Sequence, residues 1–253
     1  MRDLMKSIYI ILCISALAAL LGACASDAVD PSGNTNNGVG GSLARFAISG
    51  NHLYTVDFHS LSVFDVSDAA NPGKANHLDV GVNIETIFPK EKTLFIGSQE
   101  GMYIYDITSP AQPAFLSVFT HVVSCDPVVA DDRYAYVTLR SVNGFCGRFT
   151  NQLDIIDIQN LRNPFLVTSY GMNSPKGLGI DGNTLFLCDD GLKVYDVSDA
   201  NNLDLKYHFF IEANDVIPYQ GNLMVIGADG LYQYDYTGDT VIFASKIPII
   251  PIL

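Results

Sequence analysis

The sequence has few basic residues for its length. Of its 253 residues, 14 are Lys or Arg and 27 are Asp or Glu, so the formal net charge is −13. A chain of this charge repels the phosphates of nucleic acids and the surface of an anionic bilayer. We therefore expect no nucleic-acid partner, and any attachment to a membrane has to come from something other than surface charge.

Patterns typical of metal binding or catalysis are also scarce. The five cysteines contain no Cys-x-x-Cys pair, and the five histidines show no metal-ligand spacing. No catalytic signature is evident. We therefore expect no metal centre and no cofactor, and the sequence favours a non-catalytic protein while leaving catalysis open.

The apolar run at residues 7–21 is too short for a comfortable transmembrane helix. It follows the basic residues Arg2 and Lys6, so it predicts a signal peptide. It ends in LGAC at residues 21–24, which resembles the lipobox of bacterial lipoproteins. The resemblance implies that residues 1–23 are removed and that Cys24 carries two or three acyl chains such as palmitate. Two or more chains anchor a protein firmly.

The residues around Cys24 predict a cellular location as well as a lipid anchor. The resemblance implies the bacterial cell envelope, and Ala25 is not the Asp that retains some lipoproteins at the inner membrane. We therefore expect the outer membrane. Residues 24–43 are rich in Gly, Asn, Ser and Asp, which predicts a flexible linker between the anchor and a folded body at residues 44–253.

The predicted body contains one sequence unit that is repeated five times. Each copy has an alternating apolar run that ends in Asp: Asp65, Asp106, Asp157, Asp196 and Asp235. Three further short apolar segments surround each run, which makes four predicted strands per unit of about 40 residues. The units cover approximately residues 44–82, 83–123, 124–172, 173–212 and 213–253. Units of this kind predict an all-β fold, a β-propeller of five four-stranded blades.

The repeats resemble the LVIVD family in LDIIDI (153–158), LKVYDV (192–197) and LSVFDV (61–66). The resemblance covers residues 44–253, although the fifth repeat lacks the Asn-Pro turn. It implies an exported bacterial propeller of largely unknown activity, and it implies no reaction.

The repeated Asp has two interpretations. In DVSDANN (196–202), Asp196 can accept hydrogen bonds from backbone N–H groups two residues on. Alternatively, its closely spaced oxygen ligands could hold Ca²⁺, but the Gly of a typical calcium loop is missing. The sequence favours a structural turn. Because the turn joins the third and fourth strands, it lies on the face that we call the bottom.

The opposite face, the top, is where the first strand of each blade begins. A charged residue precedes or opens each of these strands: Arg45, Glu85, Asp126, Lys176 and Asp215. If the propeller closes, these five side chains ring the mouth of the axial channel. They could neutralise one another, bind a polar ligand or a cation, or raise one another's pKa for acid–base work.

Repeat 3 carries an insertion at residues 140–152, also on the top. Arg140, Phe145, Arg148 and Phe149 make it basic and aromatic, which suits recognition of an anionic or planar ligand or of a partner protein. It could also simply cover the channel. Cys125 and Cys146 lie near each other in this blade, so we predict a disulfide between them, while Cys188 is expected to be a free, packed thiol.

These observations favour a monomeric, lipid-anchored envelope propeller that binds a polar ligand or an envelope protein on its top face. The alternative is a hydrolase or lyase that acts on an envelope or extracellular polymer through acidic residues at the channel mouth. Such chemistry needs two carboxyl groups within roughly 5–10 Å of each other. A purely structural role through the bottom face is a third possibility.

Overall fold

The computed structural model describes residues 41–121, 127–141, 151–238 and 240–249. They form twenty β-strands in five antiparallel sheets, each with its four strands in chain order. No helix occurs in these residues, so none is long and apolar enough to cross a membrane. The all-β fold of five four-stranded propeller blades predicted from the sequence is confirmed.

Each blade falls within one sequence repeat. Blade 1 contains β1 (Phe46–Ser49), β2 (His52–Val56), β3 (Ser60–Asp65) and β4 (Gly73–Asp79). Blade 2 contains β5 (Ile84–Lys90), β6 (Thr93–Ser98), β7 (Gly101–Asp106) and β8 (Ala114–Thr120). Blade 3 contains β9 (Val128–Ala130), β10 (Tyr134–Leu139), β11 (Gln152–Asp157) and β12 (Phe165–Gly171). Blade 4 contains β13 (Leu178–Asp181), β14 (Thr184–Cys188), β15 (Leu192–Asp196) and β16 (Asp204–Phe209). Blade 5 contains β17 (Ala213–Tyr219), β18 (Asn222–Gly227), β19 (Gly230–Asp235) and β20 (Ile242–Pro248).

The core lies between blades, because a sheet with apolar side chains on both faces needs a neighbour on each side. Four apolar clusters join blades 1 and 2, 2 and 3, 3 and 4, and 4 and 5. A large aromatic side chain in the second strand of blades 1 to 4 is fully buried against the next blade: Tyr54, Phe95, Tyr136 and Phe186. Fully burying one such side chain stabilises the fold by about 1.5–3 kcal/mol.

Every blade has the same irregularity in its outer half. The register between the third and fourth strands shifts by one residue, for example between Val63 and Phe64 in blade 1 and between Val194 and Tyr195 in blade 4. Such a bulge increases the local twist.

The ends of the series differ from its interior. No apolar cluster among the described residues joins blade 5 to blade 1. Leu53 of blade 1 is partly exposed, whereas its counterparts Leu94 and Leu185 are fully buried. On blade 5, the face turned away from blade 4 leaves Ile226 exposed. In the described part of the chain, each blade therefore packs against its neighbours in sequence. The outer faces of blades 1 and 5, which we call the end faces, do not bury each other.

Candidate functional site

The repeated Asp residues cap turns on the bottom face, as the structural interpretation predicted. In all five blades the carboxylate accepts a hydrogen bond from the backbone N–H two residues on, at 2.7–2.9 Å, and the acceptors are Asp65, Asp106, Asp157, Asp196 and Asp235. The backbone N–H and hydroxyl of Ser198 lower the pKa of Asp196. Within the described ranges, no group of three His, Cys, Asp or Glu side chains is placed to hold a metal ion.

The charges predicted to ring the top have separate protein partners. The Arg45 guanidinium lies over the ring of Phe58, 4.9 Å from its centroid. Glu85 accepts a hydrogen bond from Gln99 at 2.9 Å. Lys176 donates to the side chain of Asn214 at 2.8 Å, a bond that joins blades 4 and 5, whereas Asp126 lies outside the described residues.

Asp215 is buried, and its carboxylate is occupied by residues 41–44, which we call the axial segment. It accepts hydrogen bonds from the Ser42 hydroxyl at 3.1 Å, the Leu43 N–H at 3.4 Å and the Val216 N–H at 2.9 Å. Burial raises the pKa of Asp215, and these hydrogen bonds oppose the rise. Asp215 is therefore a structural acceptor with little access for a ligand.

The axial segment connects blades that are not neighbours. The Ser42 hydroxyl also accepts a hydrogen bond from the backbone N–H of Leu178 in blade 4, at 2.8 Å. The Ala44 carbonyl accepts one from the N–H of Ile87 in blade 2, at 3.0 Å. The segment therefore crosses the top of the axis between blades 2, 4 and 5.

Two glycines make room for this arrangement. A Cβ atom on Gly41 would lie 2.2 Å from an Asp215 carboxylate oxygen, and one on Gly177 would lie 2.1 Å from the other. Real Cβ contacts are never this short, so a side chain at either position would displace the carboxylate. Sequence reasoning treated Gly41 as part of a linker, because its partner is far away in the chain.

Several predicted residues cannot be placed. Cys24, the predicted disulfide partners Cys125 and Cys146, and the insertion residues Phe145, Arg148 and Phe149 lie outside the described residues. Arg140, at the start of the insertion, is partly buried directly after β10. Cys188 is a free, buried thiol as predicted, and burial raises its pKa.

A cavity lies on the bottom face, where the first strands of blades 2 to 5 end. It has a volume of about 580 Å³. Apolar side chains form its wall: Phe88, Val129, Ala130, Leu178, Ile180 and Val216. Its rim carries polar and charged side chains: Lys90, Asp131, Asp132, Arg133, Tyr134, Asp181, Asn183, Ser198, Tyr219 and Gln220. No blade 1 residue lines it.

The carboxylates at the rim are bound by protein donors. Asp131 accepts hydrogen bonds from the N–H groups of the turn to β10 and from the Tyr136 hydroxyl at 2.9 Å. Asp132 pairs with Lys90 at 2.7 Å, and this lysine lowers the pKa of Asp132. Asp181 accepts a hydrogen bond from the Tyr236 hydroxyl at 2.8 Å. The rim charges are thus largely compensated before any ligand arrives.

Sequence reasoning missed this cavity because it placed the site on the top. A signal was present in the short segments that end the first strands, such as PKEK at 89–92 and DGN at 181–183. These segments bring Lys90, Asp181 and Asn183 to the ends of first strands, which lie around the axis of a propeller.

Comparison with known proteins supports the repeat assignment and the fold. The LVIVD repeat model matches residues 40–79 and 125–171. No curated protein matches the sequence at a significant level. Many solved structures do match the fold.

A functionally unknown protein from Desulfotomaculum acetoxidans has a TM-score of 0.63 at 10% identity, covering 83% of this chain and 70% of that protein. A protein from Lactobacillus plantarum has a TM-score of 0.62 at 15% identity, with 79% and 69% covered. The periplasmic gluconolactonase of Pseudomonas aeruginosa has a TM-score of 0.60 at 12% identity, with 79% and 68% covered. At these identities the likeness establishes the propeller fold alone.

Proposed function

From the chain's place among the LVIVD-repeat β-propellers, we propose that it is a lipid-anchored binding module of the bacterial cell envelope. Its ligand sits in the axial cavity on the bottom face. The observation that carries the proposal is the cavity itself, whose volume of about 580 Å³ falls in the range of small-molecule sites. The anchor rests on the LGAC sequence at residues 21–24.

The lining of the cavity indicates the class of ligand. Apolar walls favour a ligand with an apolar face, and the amides of Asn183 and Gln220 with the Tyr219 hydroxyl offer donors and acceptors at the rim. Because Asp131, Asp132 and Asp181 already have protein partners, a charged ligand would have to compete for them. We therefore propose a small, uncharged polar ligand.

A top-face site, which the sequence predicts, is the weaker alternative. Asp215 is buried beneath the axial segment, and Lys176 and Glu85 are bound to protein amides. A ligand on the top would have to displace these bonds. The insertion at residues 140–152 keeps a partner-binding role as a prediction.

A lactone hydrolase is a second candidate function, because one structural neighbour is named a gluconolactonase. Hydrolysis needs a group that can accept a proton beside the bound substrate. The described carboxylates at the cavity are all engaged by donors, so the geometry favours binding without turnover.

The test is to fill the cavity without disturbing the fold. Ile180→Trp places a large side chain in the cavity wall, and Ile226→Trp, on the exposed end face of blade 5, is the matched control. Protein purified from its native envelope is analysed by native mass spectrometry for a retained small molecule. A panel of neutral sugars and glucono-lactone is then screened by thermal shift, with lactone turnover measured in parallel.

We expect the wild type and Ile226→Trp to carry or bind the same molecule and Ile180→Trp to lose it. A ligand that survives in Ile180→Trp contradicts the proposed site. A result with no retained molecule and no thermal shift for the wild type contradicts the binding function. Lactone turnover that Ile180→Trp abolishes would favour the hydrolase.

A further inference from the structure

We infer that the top face of the propeller lies against the lipid surface that carries the anchor. The top-face tips are five exposed apolar side chains in or beside top connections: Leu43, Phe58, Val82, Phe210 and Ile249. Phe210 is 84% exposed and Phe58 is 59% exposed, although neither has a role in the core. Single exposed apolar side chains are common on proteins, so it is their location on one face that points to an interaction surface.

The bottom face lacks such tips. In its described connections, which join first to second and third to fourth strands, no large apolar side chain is exposed. The nearest cases lie in strands beside these connections: Tyr219 ends β17, Phe165 begins β12 and Ile242 begins β20. The other exposed apolar side chains lie on outer strands or on the two end faces. Loop-tip hydrophobicity is therefore confined to one side of the described propeller.

The chain that leads to the anchor joins the body on the same side. Gly41 and Ser42 are buried at the top of the axis, where Ser42 binds Asp215 and Leu178. Residues 25–40 are all that separates Gly41 from Cys24. This step rests on the proposed lipid anchor, and it places the top face nearest to the bilayer.

The arrangement of the tips suits contact with a broad lipid surface better than binding of a small ligand in a pocket. Phe58 belongs to blade 1 and its carbonyl accepts the N–H of Ile84, Leu43 lies at the axis, and Phe210 precedes blade 5. Spread across the face, the tips can each enter the interfacial region, as apolar side chains of surface-bound proteins do. The Arg45 guanidinium beside Phe58 can pair with a lipid phosphate.

Acidic residues on the same face set the kind of lipid. Asp57, Glu100 and Glu212 stand in top connections, and they repel anionic headgroups. The face therefore fits a zwitterionic surface. In this orientation the cavity opens away from the membrane, where a dissolved ligand can reach it.

The sequence contains no tryptophan, so one introduced Trp is a clean fluorescent reporter. Phe58→Trp and Phe210→Trp report on the top, and Tyr219→Trp is the matched control on the bottom. The full lipidated chain is reconstituted in phosphatidylcholine vesicles with brominated acyl chains. We expect blue-shifted emission and bromine quenching for both top reporters and neither effect for Tyr219→Trp.

Equal emission from all three reporters, without quenching, would overturn the docking. Co-flotation with the vesicles separates this outcome from failure of the anchor, because an anchored body that does not dock still floats. As a second measurement, the unlipidated Cys24→Ser chain is tested for partitioning into the same vesicles. Replacing Phe58 and Phe210 together by Ser should lower its partitioning about tenfold, and an unchanged value also contradicts the inference.

Discussion

At the scale of single residues, Asp215 and Asp196 show how the same type of side chain makes different contacts on the two faces of the propeller. Asp196 is partly exposed and accepts a hydrogen bond from an N–H two positions away. Asp215 is buried and binds Ser42, 173 positions away. The first contact is local, so its spacing predicts it. The second depends on the blades being in place, and a single sequence offers no spacing from which to derive it.

Removing the Ser42 hydroxyl should destabilise the protein. Ser42→Ala leaves the buried N–H of Leu178 and an oxygen of Asp215 without this partner, and an unsatisfied buried group costs about 1–3 kcal/mol. We expect the free energy of unfolding in urea to fall by that amount. Ser245→Ala, which removes an exposed hydrogen bond to Gln233, is the control and should stay within about 0.5 kcal/mol. Equal effects in both variants would show that the axial segment is not fastened as described.

The pH dependence of the unfolding free energy tests the contact between Ser42 and Asp215 from the side of the carboxylate. Burial raises the pKa of Asp215 above its usual 3.8, so the folded state holds this proton more tightly than the unfolded state. Stability from this group is therefore full below pH 3.8 and declines as the pH rises through the folded pKa. Asp215→Asn should remove this decline from the unfolding free energy measured against pH. An identical pH profile in the variant would contradict the buried position of the carboxylate.

At the scale of elements, the blades are alike in sequence and differ in what covers them. The alternation of apolar residues predicts the strands and their grouping in fours, because that pattern is set by local geometry. It does not predict whether blade 5 meets blade 1. A signal was nonetheless present: Gln233 stands where Ile104 and Val194 are buried, and Thr55 stands where Leu187 is buried. Polar replacements on outer faces are typical of terminal repeats.

Two leucines at equivalent positions test whether the end face of blade 1 is uncovered. Leu185→Ala removes a fully buried side chain between blades 3 and 4, and such changes cost about 2–5 kcal/mol. Leu53→Ala changes the equivalent position on the partly exposed end face of blade 1, where we expect about 1 kcal/mol or less. Urea unfolding measures both. Similar losses would mean that another element covers Leu53 and that the ring is sealed.

At the scale of the whole molecule, the top and bottom faces carry different features. The top holds the axial segment, the apolar tips and the point where the predicted linker would join. The bottom holds the capped turns and the cavity. The full chain has a net charge of −13 and therefore little electrostatic attraction to anionic lipids. We therefore expect its place at a membrane to depend on the predicted acyl chains and on apolar contacts. In the orientation that we propose, the cavity on the bottom face opens away from the membrane.

The anchor itself can be tested with two cysteines that differ only in position. Cys24 ends the LGAC sequence, while Cys13 lies inside the predicted signal peptide and leaves with it. We expect Cys24→Ser to abolish incorporation of labelled palmitate and to move the protein from the membrane fraction to the soluble fraction, because the remaining apolar tips bind far more weakly than two or three acyl chains. Cys13→Ser should keep both the label and the membrane location. Palmitate labelling that persists in Cys24→Ser would place the lipid elsewhere, and a protein that is unlabelled in all forms would contradict the predicted anchor.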